Sequence, residues 1–475
     1  MTELRHLPVA VIGAGPVGLA AGAHLLSRGL TPVILEASPS VAASLRAWGH
    51  VRVFSPWRYI VDATAGRLLE TSGWQAPDPE ALPTGAEIVE RYLAPLESHP
   101  ALAPHILFNA GVSAVTRQGL DKMSNAGREE APFVIRYVDG QGEDRRLLAS
   151  AVLDASGTWN RPNPAGIDGL PVQGEKAAAT RVAYGIPDVL GEVRAAYQDR
   201  HVLVIGSGHS AINAVLALLD LQGEAPATRV SWGLRSNRLQ RLLGGGLNDQ
   251  LPARGALGLA AGRAIADGRL DLLVPFDLQR IETQGEGLLL NASVAGQDRI
   301  LAVDRIIVAT GFRPDLSIAG ELRLDLDPSV EAPRRLAPMI DPNLHSCGSV
   351  PPHGVDELAH PEAGFYIVGS KSYGRAPTFL MATGYEQVRS VVADLAGDPV
   401  AARQVHLVLP ETGVCSSAEI DGDDGSGKSS CCGGPPPAGA DACCAADATA
   451  KAEGATGCGC GTPAATQHLA PEPAE

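Results

Sequence analysis

Residues 9–36 read VAVIGAGPVGLAAGAHLLSRGLTPVILE, which places a strand, a glycine turn, a helix, a second strand and an acid in that order. Val9–Ile12 is an apolar run of strand length, and Gly13, Gly15 and Gly18 follow at the spacing of a dinucleotide-binding turn. Each glycine answers a physical need. The first permits the sharp turn, the second lets the backbone approach a pyrophosphate, and the third lets the helix pack closely on the strand. A phosphate held there faces helix-terminal N–H groups. A helix is expected over residues 19–27, stopped by Gly29, and a strand over residues 32–35 delivers Glu36, 18 residues beyond Gly18. A carboxylate near that distance hydrogen-bonds a ribose hydroxyl.

The pattern returns once. His201–Ile205 reads as a strand, residues 206–211 form the turn GSGHSA, residues 211–221 a helix and residues 228–232 the next strand. Gly206 and Gly208 keep the phosphate turn, and Ala211 stands at its third position. No acid follows the second strand. Arg235 does, and a guanidinium there suits the 2′-phosphate of NADP, which a carboxylate would repel. Two phosphate turns nearly 200 residues apart imply two dinucleotides, with transfer between them as the natural use.

Each unit ends in a similar exit. Residues 153–164 read LDASGTWNRPNP, and a strand over residues 300–310 runs into ATGFRP. Small residues at such exits, Ser156, Gly157 and Gly311, let the backbone lie against a bound cofactor. The repeated exit marks one nucleotide domain inserted into another. The expected fold is therefore α/β with two Rossmann-like dinucleotide-binding domains. Residues 1–165 and 316–410 form the first, residues 166–315 the inserted second, and residues 411–475 a disordered tail.

A chain of 475 residues is ample for two or three domains. Its net charge of −15 argues against a nucleic-acid surface. From Glu411 onward ten acids face only Lys428 and Lys451, a net −8, which leaves an ordinary −7 for the body. Residues 9–26 lack formal charge, but their glycines fit a nucleotide fold better than a signal peptide, and no later segment is apolar enough to span a bilayer. A cytoplasmic protein is expected. Of the eight cysteines, only Cys347 lies in the body and seven crowd the last 61 residues, which is not an exported disulfide framework.

Between these landmarks, residues 42–48 favour a helix, residues 85–97 another, and residues 106–115 with Phe133–Val138 an antiparallel layer. His50, Trp57, Arg58 and Tyr59 cluster in one loop, and His345, Cys347, His353 and His360 in another. Residues 364–369 form a strand ending at Gly369, and a helix over residues 380–395 carries Gln387 early in its length. Trp57, Arg58, His353 and Lys371 are the candidate catalytic side chains, because their loops are expected to converge on the cofactor.

The tail has no Phe, Trp or Tyr and is rich in Gly, Ala, Pro and Asp, so it cannot bury enough surface to offset its ordering. It carries Cys431-Cys432, Cys443-Cys444 and Cys458-Gly459-Cys460. Adjacent thiolates suit soft ions, a soft metal or trivalent arsenic, and no structural-zinc spacing is present.

On GAGPVG with Glu36, DASGTWNRPNP, GSGHSA with Arg235, and ATGFRP, residues 8–400 resemble the two-dinucleotide-binding-domain flavoproteins, most closely the flavin-containing monooxygenases. That resemblance implies FAD on the first unit and NADPH on the second, with hydride passing to the flavin and the reduced flavin reacting with O2. The tail resembles the cysteine-rich ends of flavoproteins encoded with arsenic-resistance systems. The monooxygenase fingerprint of Phe, His and an aromatic ahead of the second turn is replaced here by Val172, Ala178 and Val182 around Gly174. Three functions stay open: a monooxygenase-like oxidoreductase acting on a small molecule, an NADPH-driven thiol or metalloid reductase with the tail as carrier, and a metalloid-binding or sensing flavoprotein.

Overall fold

The computed structural model describes residues 4–236, 251–344, 350–377 and 379–407. Two parallel five-stranded sheets dominate it. The first orders its strands as Phe365–Ile367, Ala151–Asp154, Val9–Ile12, Pro32–Leu35 and Ile106–Leu107. The second runs Asp271–Leu273, Arg229–Gly233, His201–Ile205, Arg305–Val308 and Val182–Tyr184. The chain leaves the first sheet after Asp154, builds the second, and returns to the first at Phe365, so the second domain is an insertion.

Helix Pro16–Ser27 is buried along most of its length, from Val17 to Leu25, because the sheet lies on one side and helix Met381–Leu395 packs on another. Three-stranded antiparallel layers cover each domain. Gly111–Arg117, Phe133–Val138 and Asp144–Ala149 belong to the first, and Phe276–Gln284, Gly287–Val294 and Gln297–Val303 to the second.

Several local expectations change. The strand expected over residues 106–115 divides: Ile106–Leu107 becomes the edge of the parallel sheet, and only residues from Gly111 join the antiparallel layer. The strand expected over residues 300–310 also divides, at Asp304, whose carboxylate accepts the His201 N–H at 2.7 Å. The helix over residues 85–97 forms with a π turn at Val89–Leu93. Pro95 has no N–H to give the carbonyl four residues earlier. That carbonyl, on Arg91, takes the Trp74 indole N–H instead, at 2.8 Å.

The two exits run side by side as an antiparallel ribbon. Asn163 N–H donates to Gly311 O at 2.9 Å, Arg313 N–H to Arg161 O at 2.9 Å, and the Thr310 hydroxyl to Asn163 O at 3.0 Å. The Trp159 and Phe312 rings stack across the ribbon with centroids 4.8 Å apart.

His360, one of the loop histidines, packs near Phe365 beneath the first sheet. Its Nδ1 accepts the Asp325 N–H at 3.3 Å and its buried Nε2 has no partner among the described residues. Burial pushes this imidazole down to about 4 from 6.5. Above pH 6.5 it is neutral whether folded or unfolded. As pH falls from 6.5 to 4 the unfolded chain takes up the proton first, so stability is lost across that window, by about 3 kcal/mol at 1.36 kcal/mol per pKa unit. Urea titrations at a series of pH values should show this acid-side loss, and His360→Leu should flatten it.

Candidate functional site

At the first turn, each glycine is held by a different constraint. Gly13 has φ +97°, and a Cβ there would stand 2.9 Å from Ala155 O and 3.0 Å from Ser156 Cα. A Cβ on Gly18 would stand 1.9 Å from Gly13 O, which no backbone adjustment of a tenth or two accommodates. Gly15 differs, because beyond its chain neighbours nothing lies within 4 Å of its Cβ position. It is also the N-cap of helix Pro16–Ser27 and offers no side-chain cap, so the first helical N–H groups face open space. Glu36 sits beside this cradle, buried, accepting the Ala14 N–H at 2.7 Å and the Ser38 N–H at 2.9 Å.

The second turn repeats the arrangement. Gly206 has φ +136°, with Ala309 O 2.2 Å from its Cβ position, while Gly208 has open space and caps helix His209–Glu224 without a side chain. Ala211, at the third position, is fully buried. The turn is tied down by Trp232, whose indole N–H donates to Gly206 O at 2.9 Å. Arg235 stands exposed two residues past strand Arg229–Gly233. Both cradles have the form a dinucleotide pyrophosphate requires: an approachable glycine, a helix N-terminus with no side-chain cap and a position at the carboxyl end of a parallel sheet. The domains meet nearby, where the Phe54 and His209 rings lie 5.1 Å apart.

A buried polar network lies beside the first cradle. Lys371 Nζ donates to Asp154 Oδ2 at 2.6 Å and to Ser156 Oγ at 3.0 Å. One residue on, Ser372 donates to Gly369 O at 2.7 Å and accepts from Gln387 Nε2 at 2.8 Å. Gln387 Oε1 takes the Gly369 N–H at 2.8 Å, which turns the amide nitrogen toward His353 Nε2, 2.9 Å away. His353 must therefore accept at Nε2 and donate from Nδ1, which reaches Pro351 O at 3.0 Å. That is the neutral ring, and burial lowers its pKa accordingly.

No protein-family model matches the sequence. A ferredoxin–NADP reductase of Thermus thermophilus is 26% identical over 351 residues, which cover 73% of this chain and 85% of the relative. Among solved structures, a bacillithiol disulfide reductase of Bacillus cereus superposes with a TM-score of 0.62 at 17% identity, covering 82% of this chain and 99% of its own. An ornithine N-hydroxylase of Kutzneria sp. 744, solved with reduced FAD, NADP+ and L-ornithine, superposes with a TM-score of 0.52 at 16% identity, covering 83% and 98%. The chain has the fold of a two-domain FAD/NAD(P)-binding oxidoreductase.

In this oxidoreductase fold the remaining sequence candidates fall into three groups. Gly157 (φ +71°), Gly369 (φ +71°) and Gly311 (φ +91°) hold left-handed backbone just past strands Ala151–Asp154, Phe365–Ile367 and Arg305–Val308, where a Cβ would make only ordinary contact, 3.4–3.6 Å, with a neighbouring side chain. Trp57 is buried, with the Arg91 guanidinium 5.7 Å from its ring. Arg58 instead points to solvent, ion-paired with Glu80 and 4.9 Å from the Tyr59 ring. It joins neither the Lys371–Asp154–Ser156 cluster nor the Ser372–Gln387–His353 chain. His345, Cys347 and the tail cysteines Cys431, Cys432, Cys443, Cys444, Cys458 and Cys460 lie outside the described residues. No group of His, Cys, Asp and Glu among the described residues could hold a metal ion.

Sequence reasoning missed Asp154, the partner of Lys371. The signal was an acid closing an otherwise apolar buried strand, where a carboxylate needs a partner. It also missed Trp232, whose indole N–H could only be placed once the strand order was known. The residues standing for the monooxygenase fingerprint are packing positions: a Cβ on Gly174 (φ +86°) would lie 1.9 Å from Ile281 O.

Proposed function

We propose that the chain is an FAD-containing, NADPH-dependent oxidoreductase, in which hydride passes from the nucleotide on the second unit to the flavin on the first and on to O2 and a small-molecule substrate, as in monooxygenases. One observation carries it: two open, uncapped glycine cradles stand at the carboxyl ends of two separate parallel sheets in one chain. The names of the relatives agree, since the Thermus protein is an NADP reductase and the Kutzneria hydroxylase holds reduced FAD with NADP+. The flavin supplies the two-electron chemistry, and the protein supplies binding and orientation. Gly13, Gly15 and Gly18 admit the first pyrophosphate, Glu36 takes the ribose, and Gly206, Gly208 and Arg235 hold the second nucleotide by its phosphates. Trp57, His353 and Lys371 remain the side chains proposed to face the flavin side of the site.

Purified protein should be yellow or become so on loading with FAD, and stopped-flow reduction should favour NADPH over NADH. Arg235→Ala should lower that preference by about 10- to 150-fold, the worth of a charged hydrogen bond of about 1.5–3 kcal/mol. An unchanged preference would show that the 2′-phosphate is held elsewhere. Oxygen consumed in step with a hydroxylated product marks the monooxygenase.

The second reading, an NADPH-driven thiol or metalloid reductase, rests on three close cysteine pairs in the last 61 residues. Ending the chain before Glu411 separates the two. NADPH-driven oxygen chemistry should survive the cut, whereas reduction of a disulfide or metalloid carried by the tail should disappear. Titration of trivalent arsenic against free thiols reports whether the pairs are ligands.

A further inference from the structure

Glu36 and Lys371 flank the first phosphate turn on opposite sides. Pro32–Leu35, which delivers Glu36, lies on one side of Val9–Ile12, and Ala151–Asp154 and Phe365–Ile367 lie on the other. A dinucleotide whose pyrophosphate rests at Gly13–Gly15 and whose adenosine ribose meets Glu36 has to extend its other half over the carboxyl ends of those two strands. That half is the redox-active one. At this edge Ser156 is exposed, and directly below it stand two charges whose side chains are each 1% exposed, Lys371 and Asp154. Ser156 bridges them, donating to Asp154 Oδ1 at 2.6 Å while accepting from Lys371 Nζ at 3.0 Å.

Stability is a poor account of this pair, since desolvating two charges offsets much of their attraction. An ammonium has three N–H donors, and Asp154 and Ser156 take two of them. The carboxylate is itself held, because Asp154 Oδ1 also accepts the Ser156 N–H at 3.2 Å. The cation is thus fixed in position beneath the surface over which the redox-active half passes.

We propose that Lys371 is the cation that balances the negative charge a hydride adds to the flavin, and that Asp154 and Ser156 position it. This rests on the assignment of FAD to the first unit. A hydride brings two electrons with one proton, so the flavin gains one negative charge on reduction. In a site shielded from water, a fixed cation favours the reduced form and a fixed anion the oxidised form.

The test is the midpoint potential of the FAD-loaded protein in four forms. Lys371→Gln leaves Asp154 as the nearest charge and should lower the potential by at least about 30 mV, tenfold in the two-electron equilibrium. Asp154→Asn frees the cation from its partner and should raise the potential by a similar amount. The double variant, with no charge at either position, should lie between wild type and Lys371→Gln, because a cation acting on the flavin through its pair with Asp154 is lost together with the opposing carboxylate. Should either single neutralisation fail to fold, Lys371→Arg combined with Asp154→Asn keeps a cation without its carboxylate and must still raise the potential. Single variants that hold flavin at an unchanged potential overturn the proposal, as do variants that only bind FAD more weakly. A wild-type protein that takes up no flavin overturns the assignment of FAD itself, and is told apart by its missing visible absorbance.

Discussion

Gly15→Val should yield a folded, colourless protein. The backbone at Gly15 is ordinary extended chain (φ −77°, ψ −176°), which any residue adopts, and the added side chain meets no neighbour within 4 Å at its Cβ. The apoprotein should therefore change in stability by less than about 0.5 kcal/mol. The valine methyls instead fill the open space proposed for a pyrophosphate, and FAD affinity should fall by at least about 100-fold, roughly 2.7 kcal/mol. Visible absorbance after loading with FAD, read beside the urea midpoint of the apoprotein, checks both halves. Gly18→Ala should do the reverse and destabilise the apoprotein, because its Cβ would stand 1.9 Å from Gly13 O. A yellow Gly15→Val protein would place the cofactor away from this turn.

The largest loss of stability is expected from Glu362→Ala. Glu362 is 2% exposed and takes Arg117 Nε at 2.8 Å, Arg128 Nη2 at 2.7 Å and the Arg323 backbone N–H at 3.1 Å. Arg117 also lies 3.7 Å over the Phe133 ring, so the cluster clips the segment after the inserted domain to the antiparallel layer of the first. Removing the carboxylate leaves two guanidinium groups buried without their counter-charge, which costs about 3–5 kcal/mol. The urea midpoint should fall accordingly. Replacing all three side chains with apolar residues of similar volume should recover much of the loss, since a buried ionic cluster is a weak source of net stability. A Glu362→Ala protein as stable as wild type would mean that water reaches the cluster.

The parts of the fold legible in the sequence are those fixed by contacts over a few residues. Gly18 must be glycine because of Gly13, five positions back, and Gly206 must be glycine because a strand end, Ala309, presses on it. The first needs only local spacing, and the second repeats that spacing although the strand end that presses on it lies far along the chain. The strand divisions at residues 107–111 and at Asp304 were not legible, since an apolar run does not reveal which sheet each half joins. Nor was the outward turn of Arg58, which is decided by Glu80, a neighbour 22 residues away. Lys371 drew notice as a cation in a loop near a strand end, but its partner lies 217 residues earlier in the chain, and only the parallel pairing of Phe365–Ile367 with Ala151–Asp154 brings them together.

The paired exits give the second domain a single doorway. Because Asn163 and Gly311 hydrogen-bond to each other, the chain between them starts and finishes at one place, much as a domain with adjoining termini does. Such a segment is a removable cassette. A few linking residues could close the gap left in the first domain, and the excised piece already has its own sheet and its own buried core. On the proposed assignment of NADPH to this cassette, exchanging it for one with a different cofactor preference would alter the electron donor while leaving the Lys371–Asp154 side of the molecule in place.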